Sequence, residues 1–313
     1  SYNTAVGHAA LSSEDTHGYN VAIGLSALET LNAGADAYNV AVGWNSGYAM
    51  TTGVRNTVIG AAAGDALTTG SDSTALGHSA LGAENTGQKN TAIGSYALAS
   101  LDYNGDGHNA AVGFNAGLNV STGIQNTLMG SLAGDALTTG SKNVAIGIAA
   151  LSTEDADHYS TAVGAYALES QNTGADAYNT AVGYFAGNAI STGTKNVCIG
   201  SQAADALTTG YNNIVIGHNA AASAVDVNNE LTIGDANIDA FRCADQSIAA
   251  LSDGRDKSDV KDSGFGLDFI DSIRPVEFTW DFRPENMSEN KQGKKRVGFI
   301  AQELQEAMPN GEN

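Results

Sequence analysis

The chain has 313 residues and a formal net charge of −20, and no apolar run approaches the roughly 18 residues that a membrane span needs. This acidity argues against nucleic acid as a partner, and the sequence predicts neither membrane insertion nor a secretory signal peptide. Cys198 and Cys243 provide no disulfide framework, and Cys198 is most simply a small core residue.

From the first residues onward, an aliphatic residue followed by glycine recurs at nearly constant spacing. The steps run 17, 19, 17 and 17 residues, so four steps make a super-repeat of 70 residues. The segment 63–70 accordingly returns unchanged at 133–140. Such a period is typical of stacked architectures in which each repeat contacts its neighbours. The fourteen glycines are Gly7, Gly24, Gly43, Gly60, Gly77, Gly94, Gly113, Gly130, Gly147, Gly164, Gly183, Gly200, Gly217 and Gly234.

Each repeat carries the pattern of a short strand just before its glycine, as in Asn3-Thr4-Ala5-Val6-Gly7. The residues one and three positions before the glycine are aliphatic or mostly β-branched, and the residue between them is usually alanine. Asparagine stands four positions before the glycine in eleven of the fourteen repeats. It suits a tight turn, and stacked copies are expected to form a ladder of side-chain hydrogen bonds.

These features predict a mainly β fold, a parallel β-roll or β-solenoid shaft of 14 rungs over residues 1–235. About 17 residues accommodate two short strands and two turns, and rungs about 4.8 Å apart would make a rod on the order of 60–70 Å long. Such a thin roll has little interior and its alanine-rich faces need cover. We therefore expect a homotrimer.

The two-residue insertions that lengthen the step to 19 fall in three aligned acidic loops. The middle loop begins like a calcium loop, with Asp102, Asn104 and Asp106 as candidate ligands, but position 113 is glycine instead of the closing glutamate. A Ca²⁺ site and a hydrated acidic turn both stay open, and no other cofactor is expected. The loops span residues 32–38, 102–108 and 172–178.

Aromatic residues gather near the same rungs and leave two interpretations open, sugar-stacking ledges or lateral packing in an oligomer. The paired threonines recur only every fourth rung, too sparsely for a continuous ice-binding array. No carboxylate pair suited to glycoside hydrolysis stands out either. The aromatic residues are Tyr38, Trp44, Phe114, Tyr178, Tyr184 and Phe185.

The composition changes after the repeats. All three prolines and, from Ser252 onward, 9 of the 14 Lys and Arg residues lie there, which predicts a connector over 236–251 and a small α+β domain over 252–313. Its predicted elements are a short helix through Leu267, Ile270 and Ile273 that Pro275 ends, a strand through Val276, Phe278 and Trp280, and a second helix through Phe299, Ile300 and Leu304.

Three motifs of this segment resemble the intramolecular chaperone domain of phage tail spikes and fibres, the peptidase S74 family. They are Ser-Asp-x-Arg-x-Lys from Ser252, Arg-Pro-Val-x-Phe-x-Trp from Arg274 and Gly-Phe-Ile-Ala-Gln-Glu-Leu from Gly298. The family usually has an apolar residue where Asp256 stands and continues beyond Pro309, so we expect a truncated domain. The repeats separately resemble the left-handed β-roll heads of trimeric autotransporter adhesins.

The resemblance to the chaperone family implies a domain that drives trimerisation of the fibre ahead of it and then cuts itself off. By position, Ser252 is the nucleophile and Lys257 its base, Asp253 and Arg255 support them, and the cut falls at the Ser252–Asp253 bond. A neutral lysine can take the proton of a serine if its pKa is lowered. The alternative is a charged turn in which Lys257 pairs with Asp253 or Asp256.

On this resemblance the chain is expected to be a phage tail fibre or appendage protein for host attachment. Its partners would be two further copies and a host cell-surface glycan or protein, and its location the virion tail after synthesis in the host cytoplasm. Its only covalent chemistry would be one cut in its own backbone. A bacterial trimeric surface adhesin head and a polysaccharide-degrading tail spike are the alternatives.

Overall fold

The computed structural model describes residues 2–15, 18–153, 155–239, 271, 273–279, 295–300 and 303. The chain divides into two compact units, Ser1–Asp235 and Ala236–Asn313. The expected residues Ser252, Asp253, Arg255 and Lys257 lie outside the described residues.

The first unit is a parallel β-solenoid in which each rung contributes one strand of three residues. All fourteen strands form a single sheet in chain order, paired in register, so that the middle residues Ala5, Ala22 and Ala41 stand beside one another. This confirms the predicted fold class. The strands are β1 (Thr4–Val6), β2 (Val21–Ile23), β3 (Val40–Val42), β4 (Thr57–Ile59), β5 (Thr74–Leu76), β6 (Thr91–Ile93), β7 (Ala110–Val112), β8 (Thr127–Met129), β9 (Val144–Ile146), β10 (Thr161–Val163), β11 (Thr180–Val182), β12 (Val197–Ile199), β13 (Ile214–Ile216) and β14 (Leu231–Ile233).

The alanine face of the sheet points into the roll. Ala22 and Ala41 are fully buried, and the space opposite them is filled by large side chains such as Leu28 and Leu31. The branched residues on either side of the alanine lie outside, and Ile23 is partly exposed. The expectation that the alanine faces need cover from other chains is therefore wrong. The small residues are what allow the two sides of a thin roll to approach.

The other side of each rung is a column of turns, so the expectation of two strands per rung is wrong for the described residues. Ser26 and Leu28 have left-handed φ values of 57° and 48°, and the same two positions are left-handed in neighbouring rungs. Their amides still bond between rungs. Ser26 N donates to His8 O at 2.9 Å and Leu28 N to Ser46 O at 3.1 Å, so the backbone is hydrogen-bonded without a second sheet.

The asparagine column forms the predicted ladder inside the roll. The backbone N–H of Asn143 donates to Asn126 Oδ1 at 2.9 Å, and Asn126 Nδ2 donates to the carbonyl of Gly140 at 2.8 Å. Each buried amide thus links one rung to the next and closes a corner of its own rung. The bonds are mostly to the backbone rather than from amide to amide.

The second unit contains an antiparallel hairpin of β15 (Val276–Thr279) and β16 (Lys295–Gly298), with Val276 opposite Gly298. This confirms the predicted strand over its described residues. Phe299 and Ile300 are not helical, so the second helix was predicted to begin too early. Asp271 is helical but Ile273 is not, so the first helix was predicted to extend too far. Glu303 is helical, whereas Leu267, Ile270, Trp280 and Leu304 lie outside the described residues.

Among the described residues, no helix has the length and apolar character to cross a bilayer. The left-handedness of the roll stays a prediction.

Candidate functional surfaces

An aliphatic stripe runs along the outside of the fourteen-stranded sheet. It is formed by the last residue of each strand, which precedes the rung glycine. Leu76 and Val182 are 41% and 39% exposed, and their equivalents in the other rungs are half-buried or exposed. The stripe is continuous because the strands are in register. A row of exposed branched side chains along a whole sheet is a surface suited to association.

A second column stands five residues before each rung glycine, at a corner of the roll. From Tyr19 to Asn229 every residue in it has a left-handed φ, between 51° and 64°. Tyrosine rings stack along it, with centroids 4.9 Å apart for Tyr2 and Tyr19, 5.0 Å for Tyr19 and Tyr38, and 5.1 Å for Tyr159 and Tyr178. We call it the cation–tyrosine column. It consists of Tyr2, Tyr19, Tyr38, Arg55, Asp72, Lys89, His108, Gln125, Lys142, Tyr159, Tyr178, Lys195, Asn212 and Asn229.

The predicted aromatic ledges divide between two places. Tyr38 and Tyr178 belong to the cation–tyrosine column, whereas Trp44, Phe114 and Tyr184 directly follow a rung glycine and are about half exposed. Phe185 packs against Tyr184, with ring centroids 4.5 Å apart. Trp44, Phe114 and Tyr184 thus occupy the same position in three rungs, and each of these rungs lies four rungs from the next.

The middle insertion loop holds its candidate metal ligands in contacts with the preceding rung. Asp106 pairs with Lys89 Nζ at 2.5 Å, and Asn104 Oδ1 accepts a hydrogen bond from Thr86 Oγ1. Within the described part of the chain, no three His, Cys, Asp or Glu side chains form a group that could hold a metal ion. Calcium binding by Asp102, Asn104 and Asp106 stays a prediction.

Buried acids anchor the insertion loops from the rung below. Asp157 accepts hydrogen bonds from the Thr173 amide at 2.8 Å and the Thr173 hydroxyl at 2.7 Å. Glu84 is fully buried, accepts a bond from the Gly87 amide at 2.8 Å and is also hydrogen-bonded by the amide of Tyr103 in the middle loop. Burial, reinforced by the negative charge of Asp102, raises the pKa of Glu84 to about 7.

Glu84 also explains an exception in the asparagine ladder. Its rung has Ser73 in place of asparagine, and Glu84 extends into the interior and accepts a bond from Asn90 Nδ2 at 3.4 Å. In the other serine rung, Gln171 Nε2 donates to Ser160 Oγ at 2.8 Å. A long polar side chain thus accompanies each serine. Sequence reasoning missed this pairing, although the same rung position is usually a leucine or another aliphatic residue.

Two other sequence predictions concern Thr and Cys residues. The hydroxyl of Thr138, in a Leu-Thr-Thr-Gly turn, donates to the Asp155 carbonyl at 3.1 Å and is thus already engaged within the roll.

Cys198 is buried in the strand column, and desolvation raises the pKa of its thiol to about 12. Cys198 is therefore a small core residue, as predicted, and its raised pKa makes it a poor nucleophile at neutral pH.

In the second unit, two of the C-terminal motifs come together. Arg274 donates from Nη2 to Glu303 Oε1 at 2.5 Å and from Nε to Glu303 Oε2 at 3.3 Å. The strands of the same two motifs pair between Val276 and Gly298. Glu303 also raises the pKa of Arg274. The motif around Ser252 lies outside the described residues, so the Ser252–Lys257 arrangement stays a prediction.

The fold and these motifs define a class of protein, a repetitive β-solenoid joined to a small C-terminal domain. Residues 252–311 match a family model, Peptidase_S74, described as the chaperone of endosialidase. This match confirms the resemblance predicted from the three motifs, and the combination fits a phage tail fibre or spike with a C-terminal chaperone domain. Searches of curated proteins and of solved structures gave no significant match.

Proposed function

We propose that the chain is a trimeric tail-fibre protein of the phage virion tail, in which the roll contacts the host surface. Its C-terminal domain would drive trimerisation and then cut itself off at the Ser252–Asp253 bond. The observation that carries the proposal is the uninterrupted aliphatic stripe on a solenoid that is followed by a chaperone-family segment.

The stripe supplies the surface that assembly would bury. A parallel solenoid buries its alanine face by itself, so the surface left to cover is the outer, branched face. If three copies stand parallel with these faces towards a common axis, each rung contributes one aliphatic residue per chain at the same height. Fourteen such layers would hold the chains together along their whole length.

The self-cleavage would use Ser252 and Lys257. The neutral lysine would take the hydroxyl proton while the serine oxygen adds to the carbonyl of the scissile bond. The C–N bond then breaks, the departing amine of Asp253 takes that proton from the lysine, and water hydrolyses the ester that remains. Removing water from around Lys257 would lower its pKa and so favour the neutral amine. Assembly of three chains would remove that water by burying the lysine. Asp253 and Arg255 would hold the turn. Release of the chaperone after assembly would leave the trimeric roll kinetically trapped.

Light scattering on the purified chain tests the assembly. A trimer is expected for the natural sequence, and Val182→Asp should give monomers because three carboxylates would meet in the buried stripe. Asn119→Asp, an exposed change outside the stripe, should leave the trimer intact. A stable monomer of the natural chain at micromolar concentration would contradict the proposal. A trimeric Val182→Asp would place the interface elsewhere.

A further inference from the structure

The basic residues of the roll are confined to one place. Residues 1–239 contain 20 acidic side chains and only four basic ones, which are Arg55, Lys89, Lys142 and Lys195. All four stand in the cation–tyrosine column, at the same position of different rungs, and all four are exposed. All the Lys and Arg residues of this acidic segment therefore stand at one corner of the roll.

Two of these cations are already neutralised within the roll. Arg55 Nε contacts Asp72 Oδ1 at 2.6 Å, and Lys89 Nζ contacts Asp106 Oδ2 at 2.5 Å. Within the described residues, Lys142 and Lys195 form no such ion pair. We call these two residues the open lysines. Their charges are available to a ligand.

The open lysines bracket the tyrosine pair of the third super-repeat. Lys142 Nζ lies 5.0 Å from the centroid of the Tyr159 ring and 3.2 Å from its hydroxyl. Tyr159 stacks on Tyr178 with an interplanar angle of 5°, and Lys195 follows one rung further along. Both tyrosines are partly exposed, at 40% and 47%. The order along the corner is thus cation, ring, ring, cation, and the Tyr178 hydroxyl donates to the Asp176 carboxylate beside it at 3.0 Å.

From this geometry we infer that the edge formed by Lys142, Tyr159, Tyr178 and Lys195 binds an extended polysaccharide that carries carboxylates. Three rung steps separate the lysines, about 14 Å, which a single small anion cannot span. A chain of acidic sugars can place a carboxylate at each lysine and lay its rings and hydroxyls on the phenol edges between them. The inference rests on the proposed host attachment and names the class of receptor.

Nucleic acid does not fit this edge, because its bases bind by stacking on open aromatic faces, whereas Tyr159 and Tyr178 already stack on each other. The other tyrosine stack does not fit the ligand either, since the cation beside Tyr38 is Arg55, which Asp72 already neutralises. The middle super-repeat has Lys89 and His108 in place of tyrosines. The third super-repeat is therefore where the ligand is expected.

Binding of alginate, a polymer of uronic acids, to the full chain tests the inference, with dextran as the neutral polymer and poly-glutamate as the acidic peptide. We expect alginate to bind, dextran and poly-glutamate to bind at least about tenfold more weakly, and the double variant Lys142→Gln with Lys195→Gln to lose about tenfold in alginate affinity. The matched control, Arg55→Gln with Lys89→Gln, removes two neutralised cations of the same column and should stay within about twofold.

Lack of alginate binding, equal losses in the two double variants, or equal binding of poly-glutamate would each overturn the inference. Light scattering on the same samples separates this from failure of the proposed function. A trimer that does not bind alginate rejects the acidic polysaccharide and leaves the trimeric fibre standing, whereas a monomer rejects the fibre itself.

Discussion

Gly60 and Gly77 lie one above the other in the roll, and a Cβ atom added to Gly60 would stand 2.4 Å from the carbonyl oxygen of Gly77. The φ of Gly60 is +136°, which side chains also disfavour. The same contact recurs along the glycine column, so the regular spacing in the sequence records a close backbone approach between rungs.

Gly60→Ala should lower the thermal unfolding midpoint strongly, because it adds a backbone clash to a strained φ. We expect a loss of at least about 3 kcal/mol. Gly34→Ala is the control, since its φ is +67° and nothing lies within 4 Å of the added atom. It should cost only the backbone strain, about 1–2 kcal/mol. Equal shifts in the midpoints of the two variants would contradict the stacking account.

Asn126→Ala should destabilise the roll through unsatisfied backbone groups. It leaves the Asn143 amide and the Gly140 carbonyl without their partner inside the roll. Each lost partner costs about 1–3 kcal/mol, so the expected total is about 2–6 kcal/mol in urea unfolding. Asn119→Ala changes an exposed asparagine of the same super-repeat and should be nearly neutral. A loss of stability below about 1 kcal/mol in Asn126→Ala would contradict this, because it would mean that water satisfies the Asn143 amide and the Gly140 carbonyl.

Glu84 should make the roll less stable as the pH rises. Its pKa is raised from 4.5 to about 7 in the folded chain, so the folded state holds a proton that the unfolded chain releases earlier. The stabilisation is complete below about pH 4.5 and is lost as the pH rises through about 7, by up to about 3 kcal/mol. Asp65 and Asp135 also have pKa values raised by burial, so a single-site comparison is needed.

The comparison is Glu84→Gln, measured as the urea midpoint between pH 4 and pH 8. Glutamine already occupies this rung position at Gln171, where it bonds to Ser160 and Asn179. The variant should therefore fold and should show a flatter pH dependence than the natural chain. Parallel pH profiles would show that Glu84 does not titrate in this range.

The sequence predicted the strand before each rung glycine, the glycine stacking and the asparagine ladder, because each repeats at a fixed position and has one physical explanation. It could not tell which face of a three-residue strand is interior. Alternation places Val21 and Ile23 on one face, but only the packing of Leu28 and Leu31 shows that Ala22 is the inner residue. The turn column was missed although glycine marks the Leu28 position in five other rungs, with φ values of 52–61°, because Ser26, Leu28 and their other equivalents adopt the same left-handed φ without glycine.

The cation–tyrosine column was present in the sequence and could have been found by aligning the repeats on their glycines. Tyr38 and Tyr178 were noted as aromatics, but Lys142 and Lys195 were not connected with them. Their proximity follows from the register of the rungs, which was itself predicted. The pairings of Asp106 with Lys89 and of Glu84 with the Tyr103 amide depend on side-chain reach and required the structure.

The central claim is that this chain is a fibre roll whose C-terminal chaperone releases itself by cleavage. Intact-mass spectrometry of the full-length product, expressed in a bacterium, tests it most directly. The account predicts two fragments separated between Ser252 and Asp253, and a single uncut chain for Ser252→Ala and for Lys257→Ala, because loss of the base slows the reaction about 10²–10⁴-fold. Both variants should still form trimers. An uncut natural chain that assembles, or normal cleavage in Lys257→Ala, would contradict it.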